Sequence, residues 1–240
     1  MTLSTREIFI GLLVIACLVS GLVLSPHRIV AGTRPAPPKF RTLSFQIRLN
    51  DAGEVKTSFV SSEGKRYLGV YRIVINSLDP ALIGGQNAVT TSPDTWTDYI
   101  QLDQFGWSRN HRIAPPYSQQ PGQWTGFQPV SGGTTSGNNL SVILTLPDLY
   151  LADAKQFNAS LITYIAPEDN PNDLHPIDAL GPPLSSSVPI EYLMFDAAVS
   201  PTNYKSDPLG DYASYPADLA DLSNADYRNF DIQSLTVVEQ

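Results

Sequence analysis

A single cysteine in 240 residues excludes an internal disulfide framework and any cysteine-built zinc site. That residue, Cys17, lies inside an apolar run, which also removes it from thiol catalysis in water. Histidine is equally scarce. His27 borders the apolar run, and His111 and His175 read as isolated loop residues with no His-Glu-x-x-His spacing. No Gly-x-Ser-x-Gly elbow occurs, so a serine hydrolase is not indicated. The glycine-rich stretch Ser131-Gly132-Gly133-Thr134-Thr135-Ser136-Gly137 lacks the Lys-Ser/Thr ending of a phosphate loop and reads as a flexible hairpin loop. Charged residues make up only 16%, and the formal net charge of -8 leaves too few Lys and Arg to neutralise phosphates, which excludes nucleic acid as a partner. Asp98 and Asp103 lie near the aromatics as a candidate glycosidase pair, of a kind almost any acidic sequence offers, and the sequence does not fix their separation in space. Nothing here marks an enzyme.

What is present begins with the apolar run Ile8 to Leu24, seventeen residues that reach the short end of a membrane span. Three readings fit it. It is an uncleaved signal anchor, a lipoprotein signal in which Val14-Ile15-Ala16-Cys17 is a lipobox with Cys17 as the lipidation site, or an ordinary cleaved signal. Residues 1–25 therefore form the membrane segment. Residues 26–41, with Arg34-Pro35-Ala36-Pro37-Pro38, form a proline-rich linker, and residues 42–240 form the body. The flanking bases Arg28, Arg34, Lys39 and Arg41 outnumber Arg6, which taken alone places the body in the cytoplasm. The very short N-terminal flank, the absence of further cysteine and the loop-rich composition argue instead for an extracytoplasmic body held at the cell membrane.

Charge is segregated along the chain. Nine bases face three acids between Arg28 and Arg72, whereas from Asp196 onward eight acids face two bases. A basic segment next to a bilayer can rest on anionic headgroups, which would repel an acidic tail.

With 20 prolines, 16 glycines and 10% aromatics, the body has the composition of short strands joined by long loops. Thr42 to Leu49 alternates cleanly, placing Leu43, Phe45, Ile47 and Leu49 on one face. Further strands are expected at 54–60, 67–75, 95–102, 123–129, 140–146, 157–165, 190–195 and 232–238, with one helical turn at 147–155. This pattern predicts an all-β fold, an antiparallel β-sandwich or jelly roll behind a single N-terminal helix. An acidic segment at about 200–231 shows no periodicity and reads as irregular.

Two constellations could bind something. All three tryptophans fall in one short interval, where Trp96, Tyr99, Trp107, Asn110 and Trp124 combine stacking rings with planar amides suited to a hydroxylated ligand, beside Phe105 and Phe127. The stretch Glu168, Asp169, Asn170, Asn172 and Asp173, with Asp178 close behind, is dense in the oxygen ligands that Ca²⁺ takes.

The segments Tyr71-Arg72-Ile73-Val74-Ile75-Asn76, Trp96-Thr97-Asp98-Tyr99-Ile100, Leu140 to Leu149 and Asp178-Ala179-Leu180-Gly181 together resemble secreted β-sandwich modules of the DOMON and family-9 carbohydrate-binding type, over Thr42 to Phe195. Asn76 stands where that pattern has an acidic residue. The resemblance implies a sandwich that binds sugars or haem. Haem fits poorly, because Met194 is the only methionine of the body and no histidine has an evident partner. Two functions are therefore expected: a structural or partner-binding component of the cell envelope, or a module that binds a carbohydrate or small ligand through the aromatic cluster. An exposed tryptophan beside a groove favours the second. A flat apolar patch or open sheet edge, with residues 200–229 ordered by a partner, favours the first.

Overall fold

Alternation in Thr42–Leu49 (β1) sends Leu43, Phe45, Ile47 and Leu49 into a shared interior and leaves Gln46 and Arg48 in water. In the computed structural model, which describes residues 41–77, 96–111, 124–145, 156–181, 190–196, 198–211 and 219–240, that interior lies between two antiparallel sheets. The apolar run 8–24, Cys17, the linker up to residue 40 and the stretch 147–155 lie outside the described residues. Among the described residues no helix is long and apolar enough to cross a membrane.

The smaller sheet has β1 at its centre. On one side β1 pairs with Ile232–Glu239 (β13), which pairs in turn with Thr202–Ser206 (β12). On the other side it pairs with Asn139–Thr145 (β8), which forms a hairpin with Gly133–Ser136 (β7). The larger sheet is built on two long strands, Arg66–Asn76 (β3) and Gln156–Pro167 (β9), paired from Tyr67↔Pro167 to Asn76↔Asn158. Along the outer edge of β9 run His175–Ala179 (β10) and Leu193–Asp196 (β11). Ser58–Val60 (β2) and Asp98–Asp103 (β4) share the other edge of β3, and Gly106–His111 (β5) and Gln128–Pro129 (β6) continue the sheet beyond β4.

Unlike β1, strands β3 and β9 are buried on both faces, which is why they read as nearly continuous apolar runs. Inward-facing Tyr71, Ile73 and Ile75 join the core between the sheets, where Phe45 meets Phe157 with ring centroids 6.2 Å apart. Their neighbours Val70 and Val74 face outward into a second cluster with Trp96, Tyr99, Ile162, Tyr164 and Ile190. Side chains alternate strictly along a strand, so a sheet covered on both faces needs apolar residues at every position. Gly69 answers a close approach: a Cβ there would stand 2.0 Å from the Lys56 carbonyl oxygen and 2.6 Å from the Phe230 ring.

Several expectations change. Four strands, β5, β7, β10 and β12, form where none is expected, and the strand expected over 123–129 shrinks to the two residues of β6. The glycine-rich stretch supplies β7 rather than a free loop, and His111 and His175 lie in strands β5 and β10. The acidic segment is not irregular throughout. It carries β12 and a single helical turn, Asn224–Tyr227 (α1), closed by a capping box between Ser223 and Asp226. Leu219, Leu222 and Tyr227 from this segment enter the central core.

Candidate functional site

The outer face of the larger sheet is where chemistry collects. Strand pairing sets Arg72 of β3 opposite Gln101 of β4, with Tyr99, Gln101 and Asp103 successive on one face. Arg72 is 4% exposed, and its guanidinium carbon lies 4.7 Å from the Tyr99 ring centroid and 5.1 Å from that of Tyr164. Its Nε donates to Gln101 Oε1 at 2.9 Å, Gln101 Nε2 donates to Asp103 Oδ2 at 2.7 Å, and the other oxygen of Asp103 accepts from the Phe105 amide at 2.8 Å. A buried cation is thus fixed by two rings and a relay of amide and carboxylate. Burial pushes the Tyr164 phenol up to about 12, against the pull of the Arg72 charge.

Above this floor runs a groove of about 770 Å³, a volume typical of ligand sites. Val70, Tyr99, Ser108, Phe105, Phe127 and Leu174 are among the side chains that line it. Phe105 is 89% exposed and Phe127 55% exposed. Ser108, which also lines the groove, has a buried hydroxyl with no hydrogen-bond partner among the described residues.

Of the residues the sequence singles out, Tyr99, Asn110 and Trp124 are brought together. Asn110 Nδ2 donates to the Tyr99 hydroxyl at 2.9 Å, Thr125 Oγ1 donates to Asn110 Oδ1 at 3.1 Å, and Trp124 meets Tyr99 edge-on with centroids 4.9 Å apart. Trp107, opposite Leu102 on β4, turns to the other face and packs in the core between the sheets, its ring against Gly133 of β7. Trp96 is wholly buried in the outer apolar cluster and is not a contact residue. The pair Asp98 and Asp103 separates: five positions apart on one strand, they point to opposite faces of the sheet, so they cannot flank one bond. Arg72 is the residue sequence reasoning passes over, although a charge in the middle of Val70-Tyr71-Arg72-Ile73-Val74 is itself a signal that something polar waits on that face.

The oxygen-rich stretch divides as well. Glu168, Asp169, Asn170, Asn172 and Asp173 occupy an exposed connection between β9 and β10, closed by turn hydrogen bonds from Asn170 to Pro167 and from Asp173 to Asn170. Asp178 is fully buried and lies instead with Asp207 and Asp211. Among the described residues these three form the one group of three or more His, Cys, Asp or Glu side chains close enough to share an ion. No family model matches the chain, and no curated protein or solved structure does either.

Proposed function

We propose that the domain is a non-catalytic binding module, carried outside the cytoplasm by the N-terminal segment, whose ligand lies in the groove on the outer face of the larger sheet. The observation that carries this reading is the pair of large aromatic side chains, Phe105 and Phe127, held in water over a polar floor. Soluble domains rarely leave such rings exposed together without use for them. Their faces suit the apolar face of a sugar ring, and Ser108, Gln101 and Asp103 offer hydrogen-bonding groups beneath. Asp103 is the one carboxylate on the described lining, which favours binding over glycoside cleavage, a reaction that ordinarily uses two.

The test is titration of the full chain, purified in mild detergent, with a panel of neutral and acidic oligosaccharides, followed by tryptophan fluorescence and calorimetry. At least one class should bind and shift the emission of Trp124, which stands against the groove residue Tyr99. Phe127→Ala should weaken that binding at least tenfold with the melting temperature nearly unchanged. Absence of binding across the panel, or binding indifferent to both Phe105→Ala and Phe127→Ala, refutes the reading.

A second reading, docking of a protein partner, has its own support in β12, which among the described residues pairs on one side only and where Tyr204 is 63% exposed. The 200–231 segment supports it less, since Leu219, Leu222 and Tyr227 are already packed into the core.

A further inference from the structure

Asp178 lies on β10 of the larger sheet, Asp207 directly follows β12 at the edge of the smaller one, and Asp211 comes four residues later. One oxygen from each lies within 4.8 Å of the other two. Asp178 is 0% exposed and Asp207 only 7% exposed.

The hydrogen bonds these carboxylates receive are too few for three charges. Asp178 accepts from the amides of Ala179 at 2.9 Å and Ile232 at 2.7 Å, and one oxygen of Asp207 accepts from the Gly181 amide. Among the described residues the second oxygen of Asp207 is buried with no partner, and neither oxygen of Asp211 reaches a donor on another residue. Nearby Asp231 is already held by Asn50 at 2.7 Å and by the Gly210 amide, and Glu191 is paired with Lys205. Burial first, and then the neighbouring carboxylates, drive Asp178 well above the usual range and Asp207 up to about 8. Elsewhere the same fold treats a buried acid differently: Asp221 receives Ser61 at 2.6 Å, the Tyr67 hydroxyl and Lys65 at 3.5 Å. A buried carboxylate oxygen with no donor is costly unless a cation meets it.

We infer that Asp178, Asp207 and Asp211 hold one divalent cation, calcium, that clips the edge of the larger sheet to the edge of the smaller one. The donors are all oxygens, which selects a hard cation and argues against zinc. Oxygens that share one Ca²⁺ at about 2.3–2.6 Å stand no more than roughly 5 Å apart, which this group satisfies. An open cavity lined by Gly181, Glu191, Ser206 and Pro208 reaches Asp207, giving an entry path and room for the waters that would complete the shell. This site uses Asp178 from the sequence expectation but none of the residues from Glu168 to Asp173. It does not depend on what the groove binds.

The experiment is calorimetric titration of the EDTA-treated full chain in detergent with CaCl₂ and, separately, MgCl₂, alongside thermal melts. One Ca²⁺ per chain should bind, and millimolar Ca²⁺ should raise the melting temperature by about 3–8 °C. Asp211→Asn should lower Ca²⁺ affinity at least tenfold while melting in EDTA no lower than the parent, because it removes a charge from an unneutralised cluster. A purely structural carboxylate would predict the reverse in EDTA. Asp207→Asn should repeat the loss of affinity. If it does not fold, the parent and Asp211→Asn decide the matter. No Ca²⁺ binding to the parent, or a Ca²⁺ response that survives in Asp211→Asn, overturns the site, and an equal response to magnesium overturns its assignment to calcium.

Discussion

Two buried tyrosines on neighbouring strands give a matched test of what holds the sheets together. The Tyr71 hydroxyl accepts from the Lys56 amide at 2.9 Å and donates to the Asn229 carbonyl at 2.9 Å, joining β3 to the chain before β2 and to the chain before β13. Its ring stacks on Phe230, with centroids 5.4 Å apart and planes 15° from parallel. Tyr71→Phe keeps the ring and the stacking and deletes only the bridge, leaving one N–H and one C=O without their partner. Each such group costs about 1–3 kcal/mol, and the hydroxyl no longer buried returns part of it, so the expected net loss is about 2–4 kcal/mol. For a domain of this size that lowers the melting temperature by roughly 5–12 °C. Tyr164 is equally buried, but its hydroxyl has no hydrogen-bond partner of normal geometry among the described residues. Tyr164→Phe should therefore change stability by less than about 1 kcal/mol. Thermal melts by circular dichroism on the full chain, with urea unfolding as a check, measure both. If the two variants lose the same amount, the bridge has no special role and the reasoning fails.

Gly69→Ala should abolish folding or cost more than about 3 kcal/mol, because backbone and ring block its Cβ. Gly64→Ala, at φ 86° with open space around it, should cost only about 1 kcal/mol, and proteolysis resistance separates the two. In EDTA the protein should lose stability as pH rises. Asp207 at about 8 and Asp211 at about 6 hold their protons more tightly when folded than at the ordinary value of 3.8, so their contribution is complete below about pH 4 and gone above about pH 8. Allowing for solvent screening, the loss is on the order of 2–4 kcal/mol. Urea midpoints at pH 5 and pH 8 check it, and a flat profile contradicts it. Phe105→Ala, at 89% exposure, should leave the melting temperature within about 1 °C of the parent.

Legibility tracked burial. Strand β1 was visible to the residue because one face is apolar and the other polar, and β3 and β9 stood out because both of their faces are covered. Strands β7 and β12 carry no such mark. Gly133–Ser136 and Thr202–Ser206 lie at the two edges of the smaller sheet, largely exposed on both faces, and their strand state comes from the neighbour they pair with. His175–Ala179 was hidden by Pro176 and a register shift between Pro176 and Asp178. The aromatic interval marked Tyr99 in the groove and Trp124 beside it, whereas Trp107 turns into the core between the sheets; whether each ring is core or contact depends on which face of its strand is covered.

By itself the sequence determined the class of this protein, because hydrophobic period and turn chemistry are local properties: an apolar front end, then antiparallel strands around a buried interior. It also set out the imbalance of charge, basic early and acidic late. Only the tertiary structure decided what that imbalance does. Pairing β1 with β13 brings Arg41 to Glu239, and packing the late segment on the larger sheet brings Lys65 to Asp221, so part of the segregated charge is neutralised within the domain. The same folding gathers Asp178, Asp207 and Asp211, acids with no counter-ion among the described residues, at the edges of two different sheets. Attraction and repulsion between charges depend on distance in space, and long-range strand pairing sets that distance without leaving any trace in spacing along the chain.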